Sequence, residues 1–141
     1  MTEALLPKDA LQHASIKPTV NQIEVSPFLQ QRAVRELCRA HSIAVQADSP
    51  LTKGQRLSHP VILRIAQEVQ RSPAQVLLRW GLQHGVVVLP KSTQPERIAE
   101  NLRLFDFSLR AAQMALLNAL EENLVTGWNP QKETDLHRTM S

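Results

Sequence analysis

An α/β fold of parallel βαβ units is what the 141-residue sequence predicts, on three observations. Strand-like and helix-like segments alternate along the chain, the pattern of a layered α/β architecture. Val86–Leu89 is a run of four apolar residues, three of them β-branched, as in a strand buried on both faces of a parallel sheet. Two helix-start signals, Ser72-Pro73-Ala74-Gln75 and Thr93-Gln94-Pro95-Glu96, flank that run.

The elements follow in order. Thr19–Val25 alternates apolar and polar residues up to Ser26-Pro27 and predicts a strand. Leu29–Ala40 predicts a helix, with Leu29, Ala33, Val34, Leu37 and Cys38 at helical spacing and charges on the other side. Ile43–Ala47 predicts a short second strand, ended by Asp48-Ser49-Pro50. A loop rich in Gly, Ser, Lys and His reaches Pro60, and a helical pattern resumes at Ile62, Ile65, Ala66 and Val69. The next helix is capped by Ser72 with Gln75 three residues on, carries Val76, Leu77 and Trp80, and stops at Gly85. After the strand at 86–89, Thr93 and Glu96 have capping-box spacing for a further helix. The last helical pattern runs through Leu109, Met114, Leu117 and Leu120, with Arg110 at its start and Ser108 as its expected cap. The polar tail beyond Trp128 predicts loose chain.

Composition removes several functions. One Cys excludes an internal disulfide framework and a zinc site built on several thiolates. The five histidines are scattered without metal-ligand spacing, so no metal is expected. A net charge of +3 is too small and too evenly spread to mark a nucleic-acid partner. No secretory leader or membrane-spanning run is legible, which predicts a cytoplasmic protein. Cys38 reads as core, and Trp80 and Trp128 as packing residues. With no Tyr, no chemistry on this chain can use a phenol as general acid.

One segment has the makings of an anion pocket. Lys91 follows the third strand, Ser92 and Thr93 precede a helix N-terminus, and Arg97 lies one turn in, with Glu100 and Asn101 at i+3 and i+4. On the residues alone this is equally a solvated basic turn with a capped helix.

Asn21-Gln22-Ile23-Glu24, Pro90-Lys91-Ser92, Arg97-Ile98-Ala99-Glu100-Asn101, Ser49-Pro50-Leu51 and the closing Trp128-Asn129-Pro130 occur in the order of the aldo-keto reductase family, which the chain resembles over roughly Leu11 to Pro130. Residues 1–10 carry no such match, and 131–141 form a polar tail. The resemblance implies a (β/α)8 barrel, of which this chain holds the last three parallel strands with their helices. It also implies NADPH-dependent reduction of aldehydes and ketones. Lys91, Ser92, Thr93, Arg97, Glu100 and Asn101 would hold the 2′-phosphate and adenine of NADP(H), with Leu89 at the strand end. Ser49 and Leu51 would lie along the pyrophosphate, and Gln22 against the nicotinamide carboxamide. Asp48 departs from the pattern, which has an aromatic residue there to stack on the nicotinamide. A carboxylate cannot stack, and it adds negative charge beside a polyanionic cofactor.

The resemblance assigns the catalytic Asp, Tyr, Lys and His to the first half of such a barrel, so no catalytic residue is assigned here. Three readings follow: a family member inactive on its own, a non-catalytic nucleotide- or partner-binding module, or an unstable remnant. Three parallel strands leave two unpaired edges, which predicts a chain that by itself is molten, aggregated or held by self-association or a partner. Val86, Val87, Val88 and Ile23 are the apolar residues expected to meet water on the uncovered inner face.

Overall fold

The computed structural model describes residue 8 and residues 11–127. Trp128-Asn129-Pro130, the tail 131–141 and most of 1–10 lie outside the described residues. Three strands form one sheet in the order β1-β2-β3: β1 Val20–Glu24, β2 Ala44–Asp48 and β3 Val87–Val88. Both pairings are parallel, Val20 to Glu24 facing Ala44 to Asp48, and Gln46 and Ala47 facing Val87 and Val88. Five helices with described bounds accompany them: α1 Arg32–Ala40, α2 Pro60–Val69, α3 Pro73–Gln83, α4 Pro95–Leu102 and α5 Ala111–Asn118, and residues 11–13 are helical as well.

Local signals explain most of these boundaries. The Ser72 hydroxyl accepts from Gln75 N at 3.2 Å and the Gln75 carboxamide accepts from Ser72 N at 3.0 Å, the reciprocal cap expected for α3. At the other end, Gly85 takes φ +71°, a backbone state that costs a residue without Cβ almost nothing. α2 begins on Pro60, with His59 Nδ1 accepting from Val61 N at 3.2 Å.

Other expectations are corrected. The helix expected from Leu29 starts at Arg32 because Ser26 and Leu29 bond each other across a turn and Gln31 takes φ 49°. The Thr93 cap does not form: Pro95 fixes the first turn of α4, Gln94 is the cap position, and Ser92 Oγ instead accepts from Gln94 N at 3.1 Å. Ser108 does not cap α5. Arg110 stands at that position, the Gln113 carboxamide accepting from its N–H at 2.9 Å while its guanidinium meets Glu68 at 3.4 Å.

The core lies on one side of the sheet. Val45, Ala47 and Val86 pack with Val34, Cys38, Ile62, Ile65, Leu77, Trp80 and Leu117 beneath the helices. Side chains alternate across a strand, so Ile23, Ala47 and Val88 share this covered face while Gln22, Gln46 and Val87 share the other. The expectation for residues 86–89 therefore fails by parity and by cover. Val86 is buried, Ile23 and Val88 are half-buried against the core, and the residues that meet water are Val20, Val87 and Leu89, at 52%, 47% and 54% exposure. With a neighbour on one edge only, β3 is two residues long and not a strand buried on both faces.

Candidate functional site

The carboxyl ends of the three parallel strands bring most of the expected site residues to one edge of the sheet. Gln22 lies on the open face of β1, directly opposite Gln46 of β2, whose Nε2 donates to Gln22 Oε1 at 3.1 Å. The Gln22 Nε2 remains available. Asp48 ends β2 in exposed position, with the Ser49 hydroxyl 3.4 Å from its carboxylate. Ser49, Thr52 and Lys53 all take positive φ, at 48°, 53° and 50°, and fold the following loop into a tight turn. Leu51 is half-buried against the core, and Thr52 is fully buried with its hydroxyl donating to Leu51 O at 2.7 Å.

Leu89 carries the chain out of β3 beside that loop, and Lys91 and Thr93 are exposed on the way to α4. No side chain caps α4, so among the described residues the N–H groups of Glu96 and Arg97 have no side-chain partner. Arg97 projects from the first turn. Among the described residues neither it nor Lys91 pairs with a carboxylate. Two cations, two hydroxyls and a helix N-terminus therefore fall within seven residues, with Glu96 as the one acid among them, and the net charge of the segment favours an anion. Glu100 is half-buried, and Asn101, one turn on from the exposed Arg97, is buried.

A residue given no role in the sequence lies on the other side of these strand ends. The Glu24 carboxylate is buried at the end of β1 and accepts from Thr126 N at 2.8 Å, from the Thr126 hydroxyl, and from Gly127 N at 3.0 Å. Glu122 N and Leu124 N both donate to Phe28 O, so the segment after α5 returns across the strand ends. A Cβ on Gly127 would stand 3.4 Å from Glu24 Oε2 and 3.7 Å from Asp48 Oδ2. Glu24 and Asp48 face each other in register, two carboxylates where β1 and β2 end. Glu24 belongs to the quoted Asn21–Glu24 motif, but its partners lie over a hundred residues away and leave no local signal.

The strand ends thus offer an anion-favouring side at Lys91–Arg97 and a carboxylate-lined side at Glu24 and Asp48. A phosphate fits the first. The residues at the second do not provide a stacking surface for a nicotinamide. Cys38 is buried in the core, and among the described residues no group of three or more His, Cys, Asp or Glu is placed to hold a metal. Among those residues no helix is long and apolar enough to cross a membrane.

Comparison with known proteins agrees with the fold and the motifs. The model of the aldo/keto reductase family matches residues 3–122, a span that starts ahead of Leu11 and stops short of Pro130. A glyoxal reductase of Bacillus subtilis is 44% identical over 125 residues, covering 89% of this chain and 45% of that protein. The uncharacterized oxidoreductase YtbE of the same organism is 46% identical over 123 residues, covering 87% and 44%. Among solved structures, a Gox0644 mutant in complex with NADPH superposes with a TM-score of 0.80 at 42% identity, over 85% of this chain and 44% of that one. An aldo-keto reductase of the silkworm Bombyx mori gives 0.82 at 29% identity. The chain spans less than half the length of these relatives.

Proposed function

The chain belongs to the aldo/keto reductase family, and on that premise we propose that it carries the phosphate-binding side of an NADPH-linked reductase of small aldehydes and ketones. The observation that supports this most is the run of Lys91, Ser92, Thr93 and Arg97 after β3, with Ser92 half-buried, the other three exposed and both cations unpaired among the described residues. In this reading Arg97 and Lys91 take the 2′-phosphate, the free N–H groups of α4 add to them, and Leu89, Glu100 and Asn101 frame the adenine end. Ser49 and Leu51 border the pyrophosphate. NADPH, when bound, supplies hydride to a carbonyl carbon. Gln22 Nε2 is the group available to the carboxamide, but Asp48 and Glu24 disfavour that end, so no hydride step is derived for this chain. Residues 11–130 are the reductase portion in this proposal, and the compartment is the cytoplasm.

A second reading keeps the nucleotide and drops the turnover. The sequence contains no tyrosine, so this chain has no phenol to protonate a carbonyl oxygen. Loss of a positioned general acid costs about 10²–10⁴-fold. The chain by itself then acts as a nucleotide-binding module and reduces no carbonyl.

NADPH and NADH titrations of the purified chain, in parallel with an Arg97→Ala variant, test the first reading. Arg97→Ala is expected to weaken NADPH by about tenfold, the loss of one charge-assisted contact, and to leave NADH nearly unchanged. Equal effects on both nucleotides would remove Arg97 from the 2′-phosphate. Clear turnover of an aromatic aldehyde by the pure chain would overturn the second reading.

A further inference from the structure

A second basic site lies in the helical layer, apart from the strand ends. A cleft of about 560 Å³ opens between α1, the end of α3 and α5, lined by Arg32, Arg35, Arg39, Glu36, His84 and Asn118. Its volume is that of a small-molecule pocket, within the usual range of about 300–1,000 Å³. The arginines recur at i, i+3 and i+7 of α1 and so form one stripe along it. Among the described residues none of the three is paired with a carboxylate. Glu36 is the one acid on the walls, so the charge of the cleft is positive.

The protein holds two of these guanidinium groups in place by neutral acceptors. Arg32 donates from Nε and Nη2 to Gln30 Oε1, at 3.0 and 2.9 Å, and from Nη2 to Asn118 O at 3.0 Å. Arg35 donates from Nε to Gln30 O at 2.7 Å and lies over the Trp80 ring at 5.9 Å. Gln30 is itself buried, its Nε2 donating to Pro27 O and Asn118 O. These bonds leave Arg32 Nη1 and both terminal nitrogens of Arg35 without a partner among the described residues. Burial first, and then the Arg32 and Arg39 charges, push the Arg35 guanidinium below its usual pKa, against the weaker pull of Glu36 and Glu121. Three like charges share the cleft with one acid on its walls, and among the described residues none of the three is in a salt bridge.

We propose that this cleft binds a small phosphorylated ligand, whose multiply charged phosphate group takes the open nitrogens of Arg32, Arg35 and Arg39. Fixed guanidinium forks match the oxygens of a phosphate in geometry as well as in charge. The ligand's remaining atoms lie against Ala115 and Ala119, the small residues of the α5 wall.

Pyrophosphate titration of the full chain, at about 0.15 M salt to screen loose surface contacts, tests this. The readout is the ¹H–¹⁵N resonances of the arginine Nε–H groups and of the His84 ring. Saturable shifts are expected at Arg32, Arg35 and His84. Arg39→Gln, at an exposed position that carries no core packing, is expected to weaken binding about tenfold, as one charge-assisted contact is worth. Glu36→Gln is expected to strengthen it several-fold. Shifts that never saturate and spread equally over Arg64 and Arg97, shifts confined to Arg97, or an affinity unchanged in both variants would each overturn the proposal.

Discussion

The Gln75 carboxamide donates from Nε2 to the carbonyl oxygen of Glu100 at 3.1 Å, and so joins the first turn of α3 to the last turn of α4. The same nitrogen reaches Arg103 O at 3.1 Å while Oε1 accepts from Ser72 N at 3.0 Å, so one buried amide both caps its own helix and closes its neighbour. α4 has eight residues, too short to be stable by itself. The placement of Arg97 therefore depends on Gln75.

Gln75→Ala is expected to lower stability by about 1–3 kcal/mol, the cost of stranding partly buried polar groups. Its distinctive effect is local: the amides of residues 98–102 exchange faster than those of α3. Native-state hydrogen exchange checks this. Loss of stability with α4 protection retained would show that the helix is held by something else.

Gly81 marks where α3 crosses β3. A Cβ at that position would stand 2.9 Å from Val88 Cγ1. Alanine in a helix gains about 1 kcal/mol over glycine, but overpacking a tight contact costs about 1–3 kcal/mol. Gly81→Ala is expected to lower the denaturation midpoint, and Gly81→Ala with Val88→Ala to cost less than the two single changes summed. Strict additivity would place the strain elsewhere.

Features decided by near neighbours in the chain were legible before the structure. Ser72 with Gln75, Pro73 at the first helical position and Gly85 at positive φ are such cases, and each stands as expected. Thr93 had the right spacing for a cap and failed, because Pro95 sets the start of α4 one residue later than a Thr93 cap requires. The exposed face of the sheet was misassigned for a different reason. Apolarity marks Val86, Val87 and Val88 alike, and only the pairing register with Gln46 and Ala47 decides which of them turns outward. At the strand ends, Gln22 was singled out through a family motif, and the Lys91–Arg97 segment through its cations, hydroxyls and helix start as well. Glu24 was not given a role, since its hold on Thr126 and Gly127 closes a loop that no local pattern records. Gln30 was missed likewise: its bond to Asn118 O spans 88 residues.

His84 makes stability depend on pH. Burial, joined by repulsion from Arg35, Arg32 and Arg39, lowers its pKa below 6.5, while the hydrogen bond to Asn118 Oδ1 works the other way. The unfolded chain then takes up the proton at higher pH than the folded one. Stability contributed by neutral His84 is fully present above pH 6.5 and is lost as pH falls through the lower folded value. Melting temperature is expected to drop between pH 7.5 and 5.5, with a shallower slope in His84→Gln. Identical slopes would assign the dependence to another group.

The open face of the sheet sets the last expectation. Among the described residues β1 and β3 each present an unpaired edge, and Val20, Val87 and Leu89 stand exposed on one surface between them. Unpaired parallel edges beside exposed apolar side chains are a route to association. At about 25 cal/mol per Å² of apolar area, covering even this small patch yields a few kcal/mol, a sizeable part of a typical domain's margin of about 5–15 kcal/mol. The chain expressed alone is therefore expected to self-associate through this face. Sedimentation velocity over a range of concentrations should show assembly. Val87→Lys, which puts a charge on the β3 edge without entering the core, should shift the population toward monomer. Val34→Ala, a core change on the covered side, should lower stability without favouring the monomer. A sharp cooperative melt above about 50 °C from a sample that sediments as a monomer would sink the idea, since ordinary domains melt near that temperature only with their core complete.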